Sequence, residues 1–499
     1  MLPAAASVLG AWLGHANLWL HVPAAVLLLP AGLTLVGLFA PTPRRAFWRG
    51  FWAATAAFTG CLYWIAIPVH DFGGLPWALA APCPVLVSMY LALYAGVFCF
   101  FTHRLGSRLS PWLLGPACGA LWAGLEALRE VALTGFPWLT LVSAFAPWPV
   151  MLQGASIVGG LGLGLLLATA SVWLLGLPRP NLPVRFAGLL LLAGLTAFGW
   201  HRLDAPDEAA ATARIGLAQG SIDQSLKWNP ELQAHTVQRY LALSRELVDR
   251  HAPSLVIWPE TALPFYYQDG NELSRQVREF VREHGAAVLT GSPAYTLDVG
   301  ANDYTLFNRA YLITGEGLAD PFYDKMHLLP FGEYVPFGEY LPLEKLVEGI
   351  GDFAPGADPR PLRHGPVAAG MLICYEAIFS GSAQERVAQG ANLLVTISND
   401  AWFGISSAPL QHLHLSLVRA VEQGRAMARS TNTGISAFID SRGRVHESTP
   451  LFREAVAVME LTLAEPTTPY HRHRSLVHGV VIVLALTAVL AGCRRTRKN

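Results

Sequence analysis

Three short stretches of the chain stop apolar runs on reactive side chains: "VIWPE" on Glu260, "PFYDK" on Lys325, and "LICYE", which contains Cys374. Together they make a complete set for acyl transfer, in which a thiol attacks a carbonyl, a carboxylate takes the thiol proton and a cation stabilises the oxyanion that forms. Lys325 is one of four lysines in a chain of 499 residues that otherwise uses Arg, which points to a place for a compact point charge. Each group alone has an ordinary reading. Cys374 could be a small hydrophobe inside a strand, Glu260 a strand-end surface carboxylate, and Lys325 an ion-pair partner of Asp324 or Glu333. Their joint occurrence at strand ends, where α/β enzymes carry catalytic groups, favours chemistry.

The elements that must position these groups follow from hydrophobic patterning. The runs "SLVIWPE", "AAVLTGSP", "AYLIT", "AAGMLICYE", "NLLVTISND" and "GISAFID" read as strands, several of them continuously apolar, as in sheets covered on both faces. Between them lie helix-like runs such as "QAHTVQRYLALSRELVDRH", "LSRQVREFVREHG" and "LQHLHLSLVRAVEQGRAMARS". An α/β layered domain is predicted. In the last of these runs Arg419, Glu422, Arg425 and Arg429 fall three to four apart, which reads by default as a solvated ion-pair ladder, the alternative being that some of them face the active-site crevice. His412 and His414, like His471 and His473, sit two apart and share no helix face. No carboxylate or thiolate completes a ligand set around them, so no metal and no cofactor is expected.

Composition sets this domain in a membrane protein. Hydrophobic residues make up 53% and charged residues only 14%, with a positive mean hydropathy. Residues 1–200 hold eleven charges, eight Arg and three acidic, and most of the rest lie in 201–470. Apolar stretches centre on residues 5–20, 22–40, 47–69, 77–102, 111–130, 150–176 and 184–200, with one more at 475–493. This predicts three parts: an N-terminal membrane domain over 1–200 with seven spans, a catalytic domain over 211–465, and a last span over 475–493. The N-terminus lacks a basic leader and reads as a retained first span. Arg44, Arg45 and Arg49 follow the second stretch, Arg104 and Arg108 the fourth, Arg179 and Arg185 the sixth, and Arg494, Arg495, Arg497 and Lys498 end the chain. The positive-inside rule then puts both termini in the cytoplasm and the catalytic domain on the opposite face. Zero net charge and the lack of a basic stripe argue against nucleic acid as a partner. Cys61, Cys83, Cys99, Cys118 and Cys493 fall in or at the end of apolar stretches, so no disulfide or zinc pattern is present.

The motifs "WPE", "YDKMHLLPFGEYVP" and "ICYE" resemble the nitrilase superfamily, whose fold is an α-β-β-α sandwich. Joined to about eight spans, and with "TGFPW" (134–138), "AQGSIDQSLKW" (218–228), "SNDAWFGISSAPLQH" (398–412), "RAVEQGRAMARSTNTGISAFID" (419–440) and "TPY" (468–470), they resemble the apolipoprotein N-acyltransferase family within it, over essentially the full chain. The resemblance implies transfer of an acyl chain from a phospholipid, typically phosphatidylethanolamine, through a Cys374 thioester. The acceptor is the α-amine of the diacylglyceryl-cysteine of an apolipoprotein. It further implies the inner membrane of a bacterium, with catalysis on the periplasmic face. By the same resemblance Glu260 is the base, Lys325 the oxyanion stabiliser and Glu333 the carboxylate that orients Lys325. Trp228 and Tyr375 would line the acyl or amine pocket, and Glu376 would brace the turn around Cys374. Glu126 and Arg129, near the end of the fifth stretch, could pair with each other or, with "TGFPW", hold a phospholipid head group. The competing reading is a membrane-anchored nitrilase-type amidase acting on a small carbon–nitrogen substrate. A third is a transporter with a degenerate domain of this kind used for binding, disfavoured by the intact catalytic set.

Overall fold

The computed structural model describes residues 1–179, 181–205, 211–224, 227, 229–298, 300, 303–315, 320–335, 352–464 and 466–494. The N-terminal part is helical throughout: α1 (Leu2–Gly14), α2 (Leu28–Leu38), α3 (Pro43–Cys61), α4 (Ala66–Asp71), α5 (Trp77–Ala80), α6 (Cys83–Gly106), α7 (Pro111–Val131), α8 (Pro149–Leu152), α9 (Ala155–Leu175) and α10 (Leu182–Asp204). Each stretch expected as a span is helical, but not each has the reach. Among the described residues four runs are long and apolar enough to cross a membrane: Trp77–Gly106, α9, α10 and the C-terminal α15 (Pro469–Cys493). A fifth is reached if α3 and the following Tyr63–Asp71, bent by 63°, are one broken span. The expectation of eight is therefore met only in part. Helix α1 has 13 residues, about 20 Å, against about 30 Å of hydrocarbon. It ends where Asn17 makes a tight turn, its side chain accepting from the N–H of Trp19 and Leu20 and donating to the carbonyls of Trp12 and Leu20. The chain then returns along α2, so the first two stretches form a short hairpin. Helix α7 has 21 residues, but Pro116 and Glu126 dilute its apolar character.

Two six-stranded sheets follow. The first is ordered β12-β1-β2-β3-β4-β5, from β1 (Ala211–Gln219), β2 (Leu255–Ile257), β3 (Ala287–Asp298), β4 (Asp303–Ile313), β5 (Phe322–Asp324) and β12 (Ala455–Leu463). The second is ordered β11-β10-β9-β8-β7-β6, from β6 (Leu362–His364), β7 (Val367–Ile373), β8 (Leu393–Ser398), β9 (Met427–Thr431), β10 (Ala437–Ile439) and β11 (Val445–His446). The centres of both sheets are parallel and their flanks antiparallel. Strand periodicity assigns the faces. Ile215, Leu217, Leu255, Ile257 and Leu289 meet Met371, Ile373, Val395 and Ile397 in one core between the sheets. The alternate residues Ala218, Val256 and Val288 face outward onto α11 (Pro230–His251) and α12 (Glu272–His284). These helices start at Asn229 and Asn271, whose side chains cap the first turn, and α12 stops at Gly285 with φ +69°. This gives the expected α-β-β-α layering, with α13 (Ser380–Ala388) and α14 (Ala408–Gln423) on the second sheet.

The outer layer of the second sheet is not a surface. Leu372, Leu394, Leu413, Val418 and Val421 belong to the same apolar cluster as the residues of α2, α3, α6, α7 and α9, so membrane helices and catalytic sheet share one core. Helix α14 lies in this seam. It ends at Gly424 with φ +63°, and residues 427–431 form β9 instead of continuing the helix. The ladder read from Arg419, Glu422, Arg425 and Arg429 therefore does not exist: the helix stops between its members, and all four are buried. Glu422 accepts the main-chain N–H of Gly160 at 2.7 Å and pairs with Arg419 at 3.0 Å. That N–H is free because α9 breaks at Gly159, φ +64° and ψ 176°, where the Tyr470 ring occupies the space a Cβ would need. Arg425 donates to Ala391 and Pro466 carbonyls, and Arg429 pairs with Asp400 at 2.9 Å.

Gln411 ties this seam. Its Oε1 accepts the indole N–H groups of Trp64 (3.1 Å) and Trp138 (2.8 Å), and its Nε2 donates to the carbonyls of Ala16 (3.1 Å) and Cys61 (3.0 Å). Replacing it strands four buried polar groups. We expect Gln411→Ala to cost roughly 2–4 kcal/mol, seen as a lower thermal unfolding midpoint in detergent. Gln411→Glu keeps the acceptor but sets a buried carboxylate against two carbonyls, so it should be at least as destabilising as Ala.

Candidate functional site

The parallel strands converge on the site with their C-terminal ends. Strand β7 ends at Ile373, and Cys374 takes φ +51°, a left-handed backbone that a residue with a Cβ rarely adopts. A 3-10 turn, Cys374–Ile378, follows. The buried carboxylate of Glu376 fastens this turn: Oε2 accepts the Ile373 N–H at 2.7 Å, while Oε1 accepts the Tyr323 hydroxyl (2.7 Å) and the N–H groups of Met326 (2.8 Å) and His327 (3.1 Å). Arg386 stands 3.7 Å away. One side chain thus braces the turn at Cys374 and locks it to the segment that carries Lys325.

Glu260 lies just past β2, Lys325 just past β5, and Glu333 on the turn beyond it; all three are buried. Lys325 Nζ is 2.8 Å from Glu333 Oε2 and 3.8 Å from Glu260 Oε1. Asn308, in β4, donates to both carboxylates, to Glu260 Oε1 and to Glu333 Oε1, each at 2.7 Å. Glu260 Oε2 accepts the Asn399 N–H at 2.9 Å, and Glu333 Oε2 the Leu329 N–H at 2.8 Å. Burial opposes the Lys325 charge, but Glu333, Glu260 and Cys374 outweigh it and hold the amine well above the ordinary lysine value. The partly buried Cys374 thiol moves the other way from a poised thiolate. Burial and then Glu260 push it well above its ordinary value, with Lys325 only partly offsetting them. The resting site is therefore a neutral thiol beside a carboxylate and a cation, an arrangement that needs proton transfer to make the nucleophile.

Three members of this network are not singled out from the sequence, although Asn399 and Lys227 lie within quoted motifs. Asn308 interrupts the apolar run "LFNRAYLIT", and that polar break is the signal that could have found it. Asn399 follows a strand run, as Glu260 does. Lys227, a second buried lysine, donates to the Glu260 carbonyl at 3.2 Å, and burial brings its amine down to about 8, with Glu260 opposing.

Of the remaining expected residues, Tyr375 reaches the "TGFPW" loop with its side chain and Arg129 with its main-chain carbonyl, while Glu126 holds Leu141 just beyond it. Tyr375 donates its hydroxyl to the Gly135 carbonyl at 2.7 Å, and His327 Nε2 meets the Thr134 carbonyl at 3.0 Å. From the membrane side, Glu126 Oε1 accepts the N–H of Leu141 and the indole N–H of Trp122, both at 3.1 Å, and the Arg129 carbonyl accepts the Phe136 N–H. The Glu126 and Arg129 side chains are enclosed and stand 3.9 Å apart. Gly135 is required here, with φ +89° and the Glu130 carbonyl where a Cβ would lie. Trp228 lies outside the described residues.

Comparison with known proteins adds the following. The family described as "Carbon-nitrogen hydrolase" matches residues 214–468, and that described as "Apolipoprotein N-acyltransferase N-terminal domain" matches residues 7–173. The chain is 40% identical over 461 residues to the apolipoprotein N-acyltransferase of Geobacter metallireducens, covering 89% of this chain and 87% of that one. It is 33% identical over 492 residues to that of Nitrosomonas europaea, covering 97% and 96%. A solved amidase from Nesterenkonia sp. aligns with 55% of this chain and 98% of its own at 18% identity, with a TM-score of 0.39.

The protonation state of Cys374 is directly testable. Because its thiol is raised above 9.0, the thiolate is a minor species throughout pH 7–9 and its fraction climbs about tenfold per pH unit. Iodoacetamide alkylation of Cys374, followed by peptide mass spectrometry so that Cys83 and Cys493 are counted separately, should rise accordingly with no plateau. A plateau below pH 8 would mean a resting thiolate paired with Lys325.

Proposed function

The chain belongs to the apolipoprotein N-acyltransferase family, and from that premise we propose how its own residues carry the reaction. It is an acyltransferase of lipoprotein maturation. In our reading Cys374 Sγ attacks an ester carbonyl of a membrane phospholipid, phosphatidylethanolamine being the donor we favour, while Glu260 takes the thiol proton. Lys325 lies against the oxygen that becomes negative, and Glu333 and Asn308 keep the ammonium and the base in register. Collapse breaks the ester bond. The departing alkoxide takes the proton held by Glu260 and leaves as a lysophospholipid, with the acyl chain as a thioester on Cys374. The α-amine of the diacylglyceryl-cysteine of an apolipoprotein then attacks the thioester, Glu260 again accepts the proton, the C–S bond breaks, and Glu260 passes that proton to the departing Cys374 sulfur, which restores the resting thiol. A thioester suits this relay, since it retains acyl energy yet yields to an amine.

The observation that carries this reading is the cluster's geometry: Lys325 Nζ lies 2.8 Å from Glu333 and 3.8 Å from Glu260, Asn308 ties both carboxylates, and Glu376 fastens the Cys374 turn to the segment that carries Lys325. Around it we assign Glu376 to bracing the Cys374 turn. Tyr375 and the Arg129 carbonyl hold the 134–138 loop, Glu126 holds Leu141 just beyond it, and a lipid head group would lie against that loop. Trp228 we keep as a pocket residue for the acyl chain or the amine. We further propose the three parts 1–200, 211–465 and 475–493, eight passes in all with the α1–α2 hairpin as the two shortest, cytoplasmic termini, and a catalytic face turned to the periplasm of a bacterial inner membrane. The alternation of basic loops supports that orientation.

The test is intact-mass analysis of purified protein incubated with phosphatidylethanolamine vesicles. One acyl group should be added, removable by hydroxylamine, and discharged by a diacylglyceryl-cysteinyl peptide. Cys374→Ala should abolish the adduct, and Glu260→Gln and Lys325→Met should slow its formation by about 10³-fold. No adduct in folded protein with phospholipid in excess would sink the acyl-transfer reading and favour a small-substrate amidase.

A further inference from the structure

Helix α14 carries a buried group that the reaction above does not use. His412 lies next to Gln411, under Trp138, with ring centroids 5.9 Å apart. Its Nε2 is 3.1 Å from the main-chain carbonyl of Cys374. Its Nδ1 meets Arg429 Nη2 at 3.0 Å and Asp400 Oδ1 at 3.1 Å. Asp400 is already occupied, accepting the Ser398 hydroxyl at 2.6 Å on Oδ1 and Arg429 Nη2 at 2.9 Å on Oδ2. All three residues are buried.

The geometry points to His412 as a positioning residue for the nucleophile, its Nε2–H holding the Cys374 carbonyl and with it the left-handed backbone that aims Sγ at the reacting carbon. This rests on the reading of Cys374 as nucleophile. A carbonyl only accepts, so the proton must be on Nε2. The Nδ1 lone pair then takes the Arg429 N–H, and the ring is neutral. Burial and then Arg429 act in that direction and lower the His412 pKa, with Asp400 opposing them. Asp400, kept ionised by Arg429 and the Ser398 hydroxyl against its burial, fixes Arg429 in place.

Cys374 needs such a hold because φ +51° is unfavourable for a residue with a Cβ and persists only where neighbours over-determine it. Glu376 fixes the N–H that precedes Cys374, and His412 fixes the carbonyl that follows. The second hold comes from a helix whose adjacent residue is bonded to the membrane part through Trp64, Trp138, Ala16 and Cys61. The nucleophile is thus set from the membrane side as well as from its own sheet.

The experiment uses full-length enzyme in phosphatidylethanolamine proteoliposomes, with quenched-flow intact-mass readout of the acyl-enzyme. His412→Leu keeps volume without a donor, His412→Gln can place an amide N–H near the Nε2 position, and His412→Asn reaches only the Nδ1 position. We expect Leu and Asn to lower the maximal acylation rate about 10- to 100-fold with an unchanged half-saturating lipid concentration, and Gln to restore it to within about threefold. A packing role would instead favour Leu over Gln. Gln no better than Leu, or Leu at the wild-type rate, overturns the proposal. Should Leu fail to fold, Gln equal to Asn overturns it. Cys374→Ala is run in parallel: a remaining adduct would remove the nucleophile assignment itself. Equal rates across the His412 series with a Cys374-dependent adduct would remove only the positioning role.

Discussion

The buried ammonium of Lys325 is the constraint on which the site is built. An isolated charge in a protein interior costs several kcal/mol, so Lys325 can be there only with Glu333 at 2.8 Å and Glu260 near it. Those carboxylates in turn need donors. Asn308 serves both, the Asn399 N–H serves Glu260 and the Leu329 N–H serves Glu333. Asn308 belongs to the first sheet and Asn399 to the end of a strand in the second. Satisfying one lysine therefore fixes the two sheets against each other, and the thiol is delivered into the same space by the end of β7.

The same economy appears at the seam between helices and sheets. In a free-standing α-β-β-α sandwich the outer face of α14 would meet water and could be polar. Here it joins the apolar cluster of the membrane helices, and three of its polar residues find specific partners: Gln411 two indoles and two carbonyls, Glu422 a main-chain N–H, and Arg419 both Glu422 and the Ile378 carbonyl. Buried polar groups paired in this way act as registration marks, because a slip would leave them unpaired.

This is also why sequence reasoning reached some parts and not others. The strand ends at Glu260, Lys325 and Cys374 were legible because hydrophobic runs that stop on reactive groups are a local signal, and the layered α/β fold followed from the same runs. Asn308 and the Asp400–Arg429–His412 cluster were not, since their meaning is set by partners distant in the chain. The ladder through Arg419, Glu422, Arg425 and Arg429 was misread because spacing assumes a continuous helix, and Gly424 ends it. His412 was weighed only as a metal ligand, a question of neighbours on its own helix, whereas its partners come from β9, the end of β8 and the Cys374 turn. Of the eight spans read from hydropathy, four or five are long and apolar enough among the described residues; at the N-terminus hydropathy registers two apolar stretches but not the Asn17 turn that folds them into a short hairpin.

The break in α9 carries a consequence for divergence. Glu422 is joined to that helix through the Gly160 N–H, a group that every amino acid except proline supplies. Lipid-facing side chains on α9 can drift from one descendant to the next without loosening the joint, provided position 159 keeps a residue able to take its backbone angle beside Tyr470. The attachment is thus written in chain geometry more than in side-chain identity, and such a helix can be retuned to bilayers of different composition while the catalytic layer stays where it is.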